Sequence, residues 1–427
     1  MSIINTLIHI LIFFFLPLPL FIGIAHSQKI LDITKYGAVG DGQTDDSPAF
    51  VNAWKDLCQG INEAINGIPT LNVPEGKTFL LQRLKFEGPC NTKNVHLQVL
   101  GNLLAPARGA WKECDSEDWL SFSNVENLML DGSGKIDGQG AAWWSTSQYD
   151  GRSRKLLGDN DCKPQKALQF QNCQNLKLSG LTFLNSPQAH IGINSCDNAD
   201  VSHLNIHAPE DSPNTDGIDI SFSSHVTIRD SSIGTGDDCI SIGDRCSFLS
   251  ITNIACGPGH GISVGSLGED GASSKVDNIY VKDCSFTGTT NGVRIKTWQG
   301  GSGYARNITF ERIKLDRAQY PIIIDQYYLL NSNLVLGPRQ VIQPKTNEKM
   351  LEDSSKEVDF QEAVQDTKWR KAMDEEIEAI QKNDTWELAI LPKGHKAIGV
   401  KWVYKTKKNA NGEVERYKAR LVAKGYS

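Results

Sequence analysis

Asp200-Val201-Ser202-His203-Leu204 and His225-Val226-Thr227-Ile228 are two copies, 25 residues apart, of one short pattern in a chain of 427 residues. Each copy begins with a polar residue and continues with apolar residues at alternate positions, as in a half-buried β-strand. The first apolar residue of the pattern recurs at Val95, Val125, Leu176, Val201, Val226, Ile279 and Ile308, with spacings of 30, 51, 25, 25, 53 and 29 residues. When the two large gaps are halved, the period is 25 to 30 residues throughout, which indicates a solenoid.

We therefore expect an all-β fold, a right-handed parallel β-helix over residues 28–335. In such a stack each coil pairs with the next, and Val, Ile and Leu fill the interior. An antiparallel β-sandwich is the alternative, but it does not explain the regular spacing. Ser47–Cys58 differs from the rest, because Phe50, Trp54 and Leu57 lie at helical spacing and predict a helix that caps the first coil.

The N-terminus has the pattern of an export signal. Residues 7–24 are almost wholly apolar and contain no Asp, Glu, Lys or Arg, and Ala25-His26-Ser27 offers small residues at the positions that a signal peptidase recognises. We expect residues 1–27 to be a signal peptide, so that the chain is secreted and has no membrane contact after its removal. A signal anchor is the alternative, which Pro17 and Pro19 disfavour within a spanning helix.

Two further features are consistent with export. The ten cysteines are not spaced as zinc-binding pairs, which favours disulfides in an oxidising compartment. Asn307-Ile308-Thr309 is an acceptor sequence for N-glycosylation at Asn307. The net charge of −6 gives no sign of nucleic-acid binding.

Four polar motifs recur at about the length of one coil. They are Asn214-Thr215-Asp216, Gly236-Asp237-Asp238-Cys239, Gly259-His260-Gly261 and Arg294-Ile295-Lys296. Because neighbouring coils lie about 4.8 Å apart, these motifs converge on one wall of the solenoid. Three clustered carboxylates repel each other, so one of them keeps a proton as a general acid while the others activate a water. Such a wall, with two cations beside it, suits the hydrolysis of an anionic polymer, although the overall negative charge would repel that polymer.

Adjacent residues of a regular strand point to opposite faces, so Asp237 and Asp238 cannot both face one cleft from an ideal strand. We expect a bend or bulge at Gly234-Thr235-Gly236.

Together the four motifs closely resemble those of the polygalacturonases, the pectin-cutting glycoside hydrolases, over about residues 28–335. The resemblance implies inverting hydrolysis of α-1,4-galacturonosyl linkages in cell-wall pectin, by a monomer that uses neither metal nor cofactor. It implies Asp237 as the general acid, with Asp216 and Asp238 activating the water and His260 tuning proton transfer. Asp219 stands where many relatives carry His.

The resemblance also implies contacts beyond these four residues. Arg294 and Lys296 are expected to bind a uronate carboxylate, Tyr328 and Asn214 to contact substrate, and Cys239 to pair with Cys256. Endo or exo action and the exact pectin substrate stay open.

After residue 335 the sequence changes character. Residues 336–358 are polar and irregular, as in a linker. Residues 359–427 resemble the N-terminal end of the reverse transcriptase of copia-type retrotransposons, notably at Trp369-Arg370-Lys371-Ala372 and Gly399-Val400-Lys401-Trp402. This segment stops before the aspartates that bind a polymerase's metals, so we expect a small α+β fragment without catalysis or nucleic-acid binding.

Two other functions remain as alternatives at this point. The chain could be a non-catalytic or misfolded β-helix remnant, because an open last coil exposes apolar interior and unpaired strand edges. A calcium-dependent pectate elimination is the other alternative, against which the Gly-Asp-Asp-Cys and Gly-His-Gly motifs argue.

Overall fold

The computed structural model describes residues 29–59, 67–112, 117–144, 162–325, 328, 366–382, 400–408 and 414–423. The strands of residues 29–325 form three parallel faces. The first face consists of β1 (Ile30–Asp32), β3 (Thr70–Val73), β6 (Val95–Val99), β9 (Leu128–Asp131), β12 (Lys177–Ser179), β15 (Asp197–Ser202), β18 (Ser224–Gly234), β20 (Ser247–Cys256), β22 (Ser273–Lys282) and β25 (Ser302–Glu311).

The second face adjoins the first, because the long strands β18 and β20 run through both. It also contains β2 (Asp41–Asp45), β4 (Thr78–Leu80), β7 (Asn102–Leu104), β10 (Lys135–Asp137), β13 (Thr182–Leu184), β16 (Asn205–His207), β23 (Ser285–Thr287) and β26 (Lys314–Asp316). The third face, on which the motifs lie, is a separate sheet. It consists of β5 (Leu84–Glu87), β8 (Asp118–Ser123), β11 (Lys166–Gln171), β14 (Ile191–Asn194), β17 (Ile218–Ser221), β19 (Ile240–Ile242), β21 (Ile262–Leu267), β24 (Asn291–Thr297) and β27 (Tyr320–Asp325).

Each of these strands pairs in parallel with the strand one coil away, so the fold is the predicted right-handed parallel β-helix. Helices are short in this part: α1 spans Ser47–Cys58 and α2 spans Ala141–Trp144, with 3-10 turns at Ile33–Tyr36, Arg108–Ala110 and Glu269–Gly271. The C-terminal segment contributes α3 (Thr367–Lys382) and an antiparallel pair, β28 (Val400–Lys408) and β29 (Val414–Ala423). None of the described helices is long and apolar enough to cross a membrane.

Buried apolar side chains fill the interior of the coil. Phe86, Phe122 and Phe170 occupy the same register on three successive coils, with ring centroids 4.7 and 5.6 Å apart. A void beside them has a volume of only about 10 Å³. Close packing of this kind is the main source of stability in a solenoid, since each coil contacts only its neighbours.

Helix α1 has the bounds that its sequence predicted, Ser47–Cys58. Its buried side chains cover the first coils, where Phe50 meets Phe79 at 5.7 Å and Trp54 meets Phe86 at 5.1 Å between ring centroids. The helix is tied down at its end by a disulfide between Cys58 and Cys90. The cap therefore shields the apolar interior from water at this end.

Asparagine residues at the turn before the first face have a conformational role. Asn127, Asn175 and Asn198 adopt positive φ angles of 52°, 55° and 59°. Asparagine tolerates this left-handed region better than most residues with a side chain. The Asn175 amide donates to Asn127 Oδ1 at 2.9 Å, and the Asn198 amide donates to Asn175 Oδ1 at 2.7 Å. The side chains thus form a hydrogen-bonded ladder at the turn before the first face.

The coil register differs from the predicted one in two places. Val95 pairs with Leu128 rather than Val125, and Val226 pairs with Ala199 rather than Val201. The gap after Val226 does contain one further coil, that of Leu249. The gap before Leu176 does not, because β9 pairs directly with β12. That stretch holds α2 and a long connection instead of a coil, so halving the gap was wrong.

The other organisational predictions are partly outside the described residues. Residues 1–27 and 336–358 lie there, so the signal peptide and the linker stay predictions, and the last described strand of the β-helix ends at Asp325. Cys239 and Cys256 form a disulfide, the pairing that the resemblance implied. Cys162 is also disulfide-bonded, whereas Cys173, Cys196, Cys246 and Cys284 are buried free thiols.

Candidate active site

The structure brings the four polar motifs to one edge of the third face. Asp216 lies two residues before β17, His260 lies two residues before β21, and Arg294 and Lys296 lie on β24. Asp237 and Asp238 lie between β18 and β19. The motifs are therefore on four successive coils, as their spacing predicts.

The two adjacent aspartates lie outside regular strand structure. The chain bends at Gly236 and Asp237, and β19 begins only at Ile240. The Asp237 Oδ1 accepts a hydrogen bond from the backbone N–H of Asp238 at 2.8 Å, which fixes the bend. This bend lets both carboxylates reach the same cluster, as the sequence required.

Asp238 is the most buried charge of the cluster. Its side chain is 1% exposed, and its two oxygens accept hydrogen bonds from Arg294 Nη2 at 2.6 Å and Lys296 Nζ at 3.0 Å. Ser263 Oγ donates a third bond at 2.5 Å. Two cations and a hydroxyl offset the cost of burying this carboxylate, and breaking such a buried group by removing one partner is strongly destabilising.

Asp237 has a different environment. Its carboxylate is 24% exposed and lies 2.9 Å from the Nδ1 of His260. Burial acts to raise its pKa, but the hydrogen bond and charge of His260 outweigh burial, so the pKa of Asp237 is lowered. Asp237 is therefore ionised in the free protein.

The glycines beside His260 serve the backbone. Gly259 and Gly261 have φ angles of 143° and 86°. A Cβ on Gly259 would lie 2.6 Å from the Asp237 carbonyl oxygen, and one on Gly261 would lie 2.0 Å from that of Gly292. Both glycines therefore allow neighbouring coils to pack closely against the motif.

The pKa of Asp216 is shifted in the opposite direction from that of Asp237. Burial, followed by the negative charges of Asp219, Asp237 and Asp238, raises its pKa well above the ordinary value. Its loop is joined to the next motif through Thr215, whose Oγ1 accepts a bond from the N–H of Gly236 at 3.0 Å. The cluster thus combines a carboxyl group of raised pKa with one of lowered pKa, and such a pair can divide acid and base roles.

The sequence named Asp219 only as a departure from the relatives, and the motif reasoning missed Lys166 and His190. Asp219 lies on β17, three residues after Asp216, and burial raises its pKa to about 6 although the charge of Lys166 opposes this. Lys166 Nζ lies 3.8 Å from Asp219 Oδ2. The backbone N–H of His190 donates to the carbonyl oxygen of Asp216 at 2.8 Å. Burial lowers the pKa of the His190 side chain to about 4. Only coil register brings Lys166 and His190 to the cluster, and the sequence offers no motif for them.

The remaining predicted site residues lie at the rim of the cluster or away from it. The Tyr328 ring centroid is 5.1 Å from Lys296 Nζ. Asn214 is exposed on the loop before Asp216. Asn307 is exposed on β25, away from the third face, and its amide donates to Asn278 Oδ1 at 3.3 Å.

Asp237, Asp238 and His260 offer ligand atoms within 4.8 Å of one another, a spacing that could suit a cation. The two oxygens of Asp238 already bind Arg294 and Lys296. A third positive charge there would be repelled by both, so the donor set fits acid–base chemistry better than metal binding.

A parallel β-helix with such a carboxylate, histidine and cation cluster on one face is typical of polysaccharide-cleaving enzymes. Residues 64–343, more than half of the chain, match the model of glycosyl hydrolases family 28. The chain belongs to that family.

The relatives agree with this assignment. A "Probable polygalacturonase" of Arabidopsis thaliana is 51% identical over 308 residues, which are 72% of this chain and 63% of the relative. Polygalacturonase-2 of Solanum lycopersicum is 42% identical over 303 residues, 70% of this chain and 63% of the relative. The chain therefore spans a little under two thirds of the length of these relatives.

Solved structures show the same fold. The endo-xylogalacturonan hydrolase from Aspergillus tubingensis has a TM-score of 0.59 at 28% identity, over 70% of this chain and 77% of that one. An exopolygalacturonase from Thermotoga maritima has a TM-score of 0.59 at 21% identity, over 70% of this chain and 76% of that one.

The C-terminal segment matches a different family. Residues 383–427 match the model of reverse transcriptase (RNA-dependent DNA polymerase), in agreement with the resemblance noted in the sequence.

Proposed function

We propose that the protein hydrolyses α-1,4-galacturonosyl linkages of pectin by acid–base catalysis with inversion. The observation that carries this proposal is the convergence of three aspartates and His260 on successive coils, with the Asp237 carboxylate 2.9 Å from His260 Nδ1. The family supports the same reaction, because the relatives that match over this region are polygalacturonases.

In the proposed reaction Asp237 protonates the glycosidic oxygen of the leaving sugar. Asp216 and Asp238 orient the attacking water and take its proton, while His260 moves protons to and from Asp237 across their 2.9 Å contact. In the free protein, however, the pKa of Asp216 is raised and that of Asp237 is lowered. The acid role of Asp237 therefore requires that the proton moves to it when substrate binds, because an entering uronate beside Asp237 raises the pKa of its carboxyl group.

The two cations next to the cluster have a second proposed role. Arg294 and Lys296 neutralise Asp238 in this structure, and their side chains keep 11% and 8% of their surface exposed on the side of the cluster. They can share their charge between Asp238 and the substrate carboxylate, since each has more than one donor. Asn214 and Tyr328 are proposed to contact the sugar beside them.

We also propose the cellular setting that the sequence predicts. Removal of residues 1–27 gives a secreted monomer that acts in the cell wall. It is glycosylated at Asn307 and does not bind nucleic acid. The exposed side chain of Asn307 supports this, because a glycan there does not meet the third face.

The test compares the full chain with Asp237→Asn on polygalacturonate, by release of reducing ends with and without EDTA. We expect the variant to lose at least about 10³-fold in rate, since general acid catalysis and charge in the cluster are both removed. EDTA is expected to leave the parent unchanged. Asp316→Asn, which removes an exposed charge on β26, is the matched control.

Other outcomes identify other functions. Unsaturated products that require calcium would mean elimination rather than hydrolysis. Folded protein that releases no reducing ends would mean a non-catalytic β-helix. Activity retained by Asp237→Asn would contradict the role given to this carboxyl group.

A further inference from the structure

The carboxyl group of Asp216 differs from the other two of the cluster in how it is held. Asp237 is bound by His260 and by a backbone N–H. Asp238 is bound by two cations and a hydroxyl. In the part of the chain that the structure describes, no hydrogen bond reaches the carboxyl oxygens of Asp216. The direction of this carboxyl group is therefore set by its own backbone.

The backbone at Asp216 lies beyond the paired residues of the third face. The pairing of β14 with β17 begins at Ile191 and Ile218, and Asp216 comes two residues earlier in the chain than Ile218. Asn214, just before Asp216, has a φ of 54°, so the chain is not in extended conformation there. Backbone groups outside a ladder need other hydrogen-bond partners when they are buried.

One side chain of the preceding coil supplies such a partner. The ring of His190 is fully buried, and its Nδ1 lies 3.2 Å from the carbonyl oxygen of Asp216. The same oxygen accepts a hydrogen bond from the backbone N–H of His190 at 2.8 Å. A carbonyl oxygen has two lone pairs, so it can accept both donors. His190 therefore holds this carbonyl group by two hydrogen bonds from one residue.

The other ring nitrogen determines which form of the ring is present. The backbone N–H of Ser186 donates to His190 Nε2 at 3.3 Å. A backbone N–H only donates and a carbonyl oxygen only accepts, so the neutral ring carries its proton on Nδ1. Burial lowers the pKa of His190 to about 4, which keeps the ring neutral above that pH. The Ser186 hydroxyl donates to the carbonyl oxygen of Ala189 at 2.8 Å and so holds the turn before the ring.

The peptide group held by His190 also contacts the following coil. Its carbonyl belongs to Asp216 and its N–H belongs to Gly217, which donates to the carbonyl oxygen of Asp238 at 2.9 Å. A Cβ on Gly217 would lie 2.5 Å from the carbonyl oxygen of Cys239, so the two coils are in close contact at this point. One peptide group therefore links His190 to the backbone of two aspartates of the cluster.

These contacts are more specific than packing requires. An apolar side chain of similar volume would fill the space of the ring. It would leave the Ser186 N–H without this acceptor and would remove one donor from the Asp216 carbonyl oxygen. Buried polar groups that lose a partner are costly, so the polar ring has a role that its volume alone does not explain.

We propose that His190 is a positioning residue for the reaction, which fixes the Asp216 carboxyl group by holding the peptide group between Asp216 and Gly217. This inference rests on the function proposed above and adds a support behind the cluster. Because the ring is fully buried, it acts through Asp216 rather than on the sugar. Loss of the Nδ1 donor should therefore lower kcat and leave KM unchanged, since small displacements of a reacting group reduce the rate strongly.

The test compares two polar replacements that differ in the position of their amide. His190→Asn places an amide nitrogen near the position of Nδ1 and keeps a donor for Asp216. His190→Gln places its amide near the position of Nε2, so the donor to Asp216 is lost. With polygalacturonate as substrate, we expect kcat of His190→Gln to fall by at least about 10-fold, with KM within about 2-fold of the parent. We expect kcat of His190→Asn to stay within about 3-fold of the parent.

A matched control separates positioning from a loss of stability. Ile193→Val removes a methyl group from a buried side chain of β14, the strand that follows His190. It should lower the unfolding midpoint and leave kcat of the folded protein unchanged. Thermal unfolding of each variant establishes that the assays are made on folded protein.

The position of the ring proton is measured without turnover. Nitrogen NMR spectra of the full chain with labelled histidine show which ring nitrogen carries the proton. The resonance that is missing from His190→Asn identifies His190. We expect a neutral ring with its proton on Nδ1 at a pH of about 6, because the pKa of His190 is about 4.

Two results would overturn the positioning role while leaving the proposed function standing. One is an equal kcat in His190→Asn and His190→Gln, and the other is a ring proton on Nε2. If His190→Gln does not fold, a kcat of His190→Asn more than about 10-fold below that of the parent would overturn it as well. A folded parent that releases no reducing ends would overturn the proposed function, and with it the role of His190 in the reaction.

Discussion

The third face of the β-helix consists of two halves that use the same parallel ladder differently. From β17 to β24 its outer side chains are charged, closely paired and largely buried, as at Asp238 with Arg294 and Lys296. From β5 to β14 the outer side chains are mostly amides, hydroxyls and exposed ions, and the packing below them is a column of phenylalanine rings. Electrostatic pairing therefore determines the geometry of the first half, and apolar packing supports the second.

The largest expected effect is that of Asp238→Ala. Arg294 and Lys296 would be left in a buried position without their carboxylate, so we expect a loss of about 3–5 kcal/mol in the free energy of unfolding. Hydrolysis should fall by at least about 10³-fold. Urea unfolding and reducing-end release measure the two effects, with Asp316→Ala as the control. Unchanged unfolding would mean that this half does not depend on its charges.

Phe122→Ala tests the other half. Removal of a fully buried ring from the middle of the phenylalanine column should cost about 3–5 kcal/mol in the free energy of unfolding. The pH dependence of hydrolysis in the folded variant should stay that of the parent, because no charge has changed. A shifted pH profile would show that the two halves are not separable.

Asp219→Asn is expected to be stabilising, by an amount that depends on pH. The pKa of Asp219 is raised to about 6 in the folded state, so between pH of about 4 and 6 the folded protein holds more protons than the unfolded one. Stability therefore falls as pH rises through that window. The variant should gain about 1–2 kcal/mol at pH 7 and nothing at pH 4.

Thermal unfolding of parent and Asp219→Asn at both pH values measures this difference. Asp316→Asn should show no such pH dependence, since its carboxylate is exposed. An equal gain at pH 4 and pH 7 would contradict the electrostatic explanation.

The smallest effect is expected at the asparagine ladder, outside both halves. Asn175→Ala places a Cβ-bearing residue without a polar group at a φ of 55°, which should cost about 1 kcal/mol in the free energy of unfolding. Asn175→Gly keeps the conformation accessible and loses only the ladder bonds, so it should cost less. Equal losses in the two variants would assign the effect to the hydrogen bonds instead.

Much of this architecture could be predicted from the sequence, because its signals are local and periodic. The alternation around Val226 gave the solenoid, the spacing of Phe50, Trp54 and Leu57 gave α1, and the motif spacing gave the edge where Asp216, Asp237, Asp238 and His260 meet. The bend at Gly236 was predicted from the simple rule that neighbouring strand residues face opposite ways.

The rest depended on facts that the sequence does not carry. The long connection between β10 and β11 widens the spacing as much as an additional coil would. The coil predicted in the gap before Leu176 was therefore wrong. Burial and pairing then decided the charge states, which spacing cannot give. The sequence placed Arg294 and Lys296 opposite a substrate, and the structure places both of them against Asp238.

The contacts of Asp238 also impose an order in time. Arg294 and Lys296 follow it in the chain by 56 and 58 residues. The ribosome therefore synthesises Asp238 well before either of its counter-ions. Its carboxylate is paired only after β24 has been synthesised and has joined the sheet. The nascent protein can wind its early coils while its carboxylate cluster is still incomplete, so that cluster is completed late in synthesis.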